Sequence, residues 1–134
     1  MSNLVNDYRI VVRAIQADAV SGIDLIDVLP KAGIDGTTFT ASSTLGDFVS
    51  AEVVAGSVVT LLYTSTPVPA ANVDTFQDPA VAAVNGPAGS TTWCTAPAGG
   101  DRVSGTGTCP GAASEVTALR ILHPATLAGS AEFI

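Results

Sequence analysis

The chain has 134 residues, of which 47% are hydrophobic, 5% aromatic and 13% charged, with a formal net charge of −7. So much apolar content on so little charge excludes intrinsic disorder, and the length suits one domain, 1–134, with a real core. Five basic residues against twelve acidic ones argue against nucleic acid and anionic membrane surfaces, and fit a chain that keeps apart from its neighbours or binds cations.

"DYRIVVRAIQA" alternates, with Tyr8, Ile10, Val12 and Ala14 on one face and Arg9, Val11 and Arg13 on the other. Period two with β-branched residues predicts a half-buried strand. The break "DAVSG" precedes "GIDLIDVL", where Ile23 and Leu25 share one face and Ile26 and Val28 the other. Either both faces are covered or a bulge shifts the register. Pro30 cannot donate to a ladder and ends this strand. One or two strands are expected within "TTFTASSTLGDFVSAEVV". "GSVVTLLYTST" places Val59, Leu61 and Tyr63 opposite Val58, Thr60, Leu62 and Thr64. A long connection with four prolines follows, in which "DPAVAAV" suits one helical turn. "TTWCTA", "SEVTALRILHP" and "AGSAEFI" supply the last strands. About seven short strands between Gly, Pro and Asx signals predict an all-β antiparallel sandwich.

Cys94 and Cys109 bracket a segment rich in Gly, Thr, Ala and Ser, which reads as a flexible loop. Two thiols do not complete a zinc site, and His123 is the only histidine. A Cys–His pair is the catalytic alternative. The preferred reading is a disulfide, with an extracellular location as its corollary. Closing about fifteen residues contributes about 3 kcal/mol in the chain-entropy picture. No apolar run approaches the roughly 18 residues of a membrane span. The N-terminus has neither the basic nor the apolar region of a signal peptide. The chain is therefore expected to be a fragment of a longer exported protein, and "AGSAEFI" to stop in mid-strand.

"DYRIVVRA", "GIDLIDVLPKAG", "VTLLYTST", Trp93, "VTALRI" and the closing "AGSAEF" together resemble the conserved repeat domain of bacterial cell-surface and adhesin-like proteins. "IDVLP" matches the D-x-L-P closing of that domain's second strand. The resemblance covers about residues 7–134, with a truncated last strand and the disulfide loop as an insertion. It implies an immunoglobulin-like fold and a structural or adhesive module, with neighbouring domains of the same polypeptide as partners. It implies no catalytic residues. No cofactor is expected, with calcium as the alternative.

Each candidate site competes with a simpler reading. "LPKAG" lacks the Thr of the L-P-x-T-G sorting signal and reads as a turn. Lys31, the only lysine, is a cross-link candidate, but an isopeptide needs a buried amine of lowered pKa, and the position after a strand end predicts exposure. Asp24, Asp27, Asp35 and Asp47 are calcium candidates, against the reading of solvated loop acids, since six to eight converging oxygens are required. Asp7 is placed to join an interdomain calcium site. Trp93 beside Cys94 reads as core rather than sugar platform. His123, before Pro124, reads as an exposed loop residue, and there is no G-x-S-x-G elbow to go with it. The reading is a monomeric stalk or adhesive repeat without enzymatic activity. Its rivals are a lectin-like domain that binds a glycan or host protein through the Cys94–Cys109 loop, and a small extracellular hydrolase.

Overall fold

The computed structural model describes residues 10–13, 21–29, 48, 50–53, 58–69, 71–123 and 132–133. Among them are strands β1 (Val12–Arg13), β2 (Ile23–Val28) and β3 (Thr60–Thr64), helices α1 (Val73–Gln77) and α2 (Ala82–Asn85), and strands β4 (Trp93–Cys94), β5 (Arg102–Ser104), β6 (Ala118–His123) and β7 (Glu132–Phe133). Strands β2-β6-β3-β4-β5, in that spatial order, make one antiparallel sheet, and β1 pairs antiparallel with β7. The described structure is thus mostly β, with few helical residues. α1 was not expected. It buries Val73 and Phe76, three residues apart, a pattern too short to register as periodicity. α2 falls on the helical turn expected in "DPAVAAV". Within 37–54, the described residues 48 and 50–53 form no strand, and the rest lie outside the described residues.

The register explains why β2 changes face without a bulge. Ile23–Val28 pairs residue for residue with His123–Ala118, and both sheet faces are covered. On one face, Ile121 packs with Ile10, Val12, Ile23, Val59 and Leu61. Leu29, Tyr63, Val116 and Leu119 extend this face, with Phe48 and Ala51 packed on them. The other face carries Ile26, Val28, Leu62, Ala118 and Leu122, and against it lie Phe76, Val84, Val68 and Trp93. A strand buried on both sides reads as a near-continuous apolar run, and "ALRIL" is one, with Arg120 as its single charged member. Gly22, directly before β2, has φ +66°, a conformation that favours glycine.

Tyr63 is buried, and its ring lies 6.0 Å from that of Phe48. Desolvation by this burial raises its phenol above the ordinary value of 10.0. The unfolded chain therefore loses this proton at lower pH than the folded one. Stability from this source is complete below about pH 10 and falls as pH rises through the folded-state value. Chemical denaturation across alkaline pH should show this decline, and Tyr63→Phe should flatten it.

Candidate functional site

The polar heart of the molecule lies beneath α2. Asn85 closes that helix and is only 2% exposed. Its Nδ2 donates to the carbonyls of Phe76 (2.8 Å) and Asp78 (2.9 Å), and its Oδ1 accepts from the Trp93 indole N–H at 3.1 Å. Trp93 is fully buried, so its one polar atom requires such a partner. The backbone carbonyl of Asn85 accepts from an Arg120 guanidinium nitrogen at 2.9 Å. The same guanidinium grips Asp24 at two points, Nε to Oδ1 at 2.9 Å and Nη2 to Oδ2 at 2.7 Å. It also stands 5.8 Å from the centre of the Trp93 ring, within cation–π range. Sheet register makes this meeting possible: Arg120 is opposite Ile26 and Asp24 opposite Leu122, so the two are diagonal neighbours on one face.

The next residue after Trp93 carries the disulfide. Cys94 and Cys109 are joined at 2.00 Å, with Cα atoms 5.8 Å apart. The intervening segment is not the flexible loop expected. It contains β5, which pairs with β4 through a register shift that leaves Val103 between the partners of Trp93 and Cys94. Gly107 N donates to Thr92 Oγ1 at 2.7 Å, Gly99 N to the Pro110 carbonyl at 3.1 Å, and Gly105 N to the Pro87 carbonyl at 3.0 Å. Gly105 has φ +84°, and a Cβ there would come within 2.3 Å of the Thr91 carbonyl oxygen. Glycine is required on both counts.

The calcium candidates do not come together where they are described. Asp24 is committed to Arg120, and Asp27, three residues along a regular strand, projects from the opposite face and is itself engaged. Among the described residues no three His, Cys, Asp or Glu side chains are grouped to hold a metal. Lys31, Asp35, Asp47 and Asp7 lie outside the described residues. His123 corrects the exposed-loop expectation: it is buried and belongs to β6, opposite Ile23. Trp93, with no exposed surface, offers no face to a sugar and is core, as its position beside Cys94 suggested.

A concave surface lies elsewhere. A cleft of about 500 Å³ is lined by Thr66, Pro67, Asn72, Thr75, Phe76 and Ser90, among others. Its lining carries hydroxyl and amide groups and no charged side chain. This constellation can accept a small neutral surface, but it brings no acid, base or nucleophile together.

Removing either partner of the Arg120–Asp24 pair strands a charge in surroundings where the side chains are 13% and 28% exposed. Arg120→Ala or Asp24→Ala should therefore destabilise by about 2–4 kcal/mol in denaturant titration, somewhat below the fully buried case. Asn85→Ala leaves the indole N–H and two carbonyls without partners, and should cost at least about 2 kcal/mol by the same measurement. Comparison with protein-family models, curated proteins and solved structures found no match to this chain.

Proposed function

We propose that this chain is an immunoglobulin-like structural or adhesive module of an exported bacterial surface protein, serving as a stalk or a repeat. The observation that carries the reading is the Cys94–Cys109 disulfide, set directly beside the fully buried Trp93. A cross-link built into a core strand suits an oxidising compartment, where such bonds persist. The antiparallel sheet supports the reading, because a sheet covered on both faces resists unfolding and proteolysis and can be strung end to end. The acidic balance limits association between crowded copies. Rigidity and solubility are what a spacer needs. Adjoining domains of the same polypeptide are then its first partners.

A second reading is a recognition role for the disulfide loop, by which the module binds a glycan or a protein of a host. The observation in its favour is that Arg102 and Val103 are exposed on β5, with Val103 at 55%, while the loop beneath them is held by the cross-link. Loops fixed on a rigid scaffold commonly carry binding.

Two measurements test these readings, the first the surface location they share and the second the choice between them. Protein taken from its native source without reductant should be about 2 Da lighter than the reduced chain, and intact, unpermeabilised cells should bind an antibody raised against it. Free thiols together with antibody binding only in permeabilised cells would overturn the surface assignment. Glycan and host-extract binding should be undetectable for a pure spacer. Saturable binding lost in Arg102→Ala/Val103→Ser would establish the recognition reading instead. Reduction of the disulfide should lower unfolding stability by about 3 kcal/mol, given the separation of 15 residues.

A further inference from the structure

Asn85 is followed by Gly86, whereas the other asparagines, Asn3, Asn6 and Asn72, precede Leu, Asp and Val. Asparagine before glycine is the arrangement most open to spontaneous deamidation, because no side chain hinders the following backbone nitrogen. The reaction needs no partner. The Gly86 nitrogen, losing its proton, attacks Asn85 Cγ; the new C–N bond closes a five-membered succinimide, and the side-chain nitrogen leaves as ammonia. Water then opens the ring to aspartate or to isoaspartate.

We propose that Asn85–Gly86 is a modification site gated by folding: closed in the native protein, open in the unfolded chain, and incompatible with refolding once used. Three features close it. The Gly86 N–H is occupied, donating to the Ala82 carbonyl at 2.9 Å. The Asn85 amide is held by the Phe76 and Asp78 carbonyls on one side and the Trp93 N–H on the other. The residue is also buried at the end of a helical turn. Attack at Cγ requires all of these to release together, which is a local unfolding event. The product is the reason it cannot be reversed by refolding. An ionised aspartate has only acceptors, and at this position it would face the two carbonyl oxygens that the amide now serves. Arg120, the nearby cation, is already bound at two points to Asp24. Isoaspartate adds a carbon to the main chain inside α2. Each unfolding episode thus risks permanent loss, and the native fold is its own protection.

The test uses the full chain with its disulfide intact, held at mildly alkaline pH either folded or in guanidinium. Peptide mapping reads the conversion of Asn85, with Asn72 as internal reference. In guanidinium, Asn85 should convert well ahead of Asn72. In the folded protein Asn85 should convert at least about tenfold more slowly than in guanidinium. After dilution from guanidinium, chains that regain the native Trp93 emission should retain Asn85, and converted chains should be confined to the fraction that does not. Equal rates in the two states would overturn the proposal. So would converted chains, or an Asn85→Asp variant, that regain the unmodified protein's unfolding midpoint.

Discussion

The side-chain amide of Asn85 is the point on which one whole face of the sheet depends. Its three hydrogen bonds join the end of α1, the turn after it, α2 and the indole of β4. Its backbone carbonyl adds β6 through Arg120, and through Arg120 the strand β2. An amide suits this place because it is donor and acceptor at once. The carbonyls on one side need N–H groups, and the indole on the other needs an oxygen. Buried polar groups are costly unless each finds a partner. Here the network fixes how the helical segment sits on Leu62, Ala118 and Trp93, where apolar packing alone would tolerate sliding.

Around this network the two sides of the sheet are finished differently. One receives apolar side chains from Ile10, Val12, Phe48 and Ala51. The other is closed by α1 and α2, with Trp93 at its centre. β6 serves both, so it has no solvent-facing row, and the only charged side chain of its interior, Arg120, is neutralised by an acid from its neighbour. At the far side of the sheet the register shift at Val103 bends β5. A bent, two-residue pairing is a poor template for another strand.

Much of the strand layout was legible because alternation survives wherever packing decides it. Val59, Leu61 and Tyr63 fell on one face, as their spacing required, and Ile10 and Val12 met the same core. The disulfide was legible from two cysteines around a Gly-rich segment. That segment was misjudged as flexible, because composition does not reveal that Thr92 Oγ1 and the Pro87 carbonyl would receive its amides. His123 was misplaced because Pro124 marks the end of a strand without saying how deeply that end is buried. Arg120 and Asp24 are 96 residues apart, and no local pattern links them. Asn85 was hidden for a related reason: before glycine, asparagine looks like ordinary turn chemistry, and only the fold supplies its three partners. The immunoglobulin-like layout expected from the resemblance goes further than the coarse antiparallel order described.

The spatial order of the sheet also sets an order in time. β2 and β3 do not pair with one another; β6 stands between them and holds each by an antiparallel ladder. A chain emerging from its N-terminus can form β3, β4 and β5 and approach the cysteine cross-link while β2 still waits for its partner. Only when synthesis has delivered Ala118–His123 can that late strand enter the gap and join the early and middle parts of the chain. Closing such distant segments is slow compared with local pairing. Until then Leu62 and Tyr63 have no strand beside them on that flank. The last strand of this sheet to arrive is thus the one that makes the two halves a single cooperative unit, and the interval before its arrival is the time of greatest exposure to wrong partners.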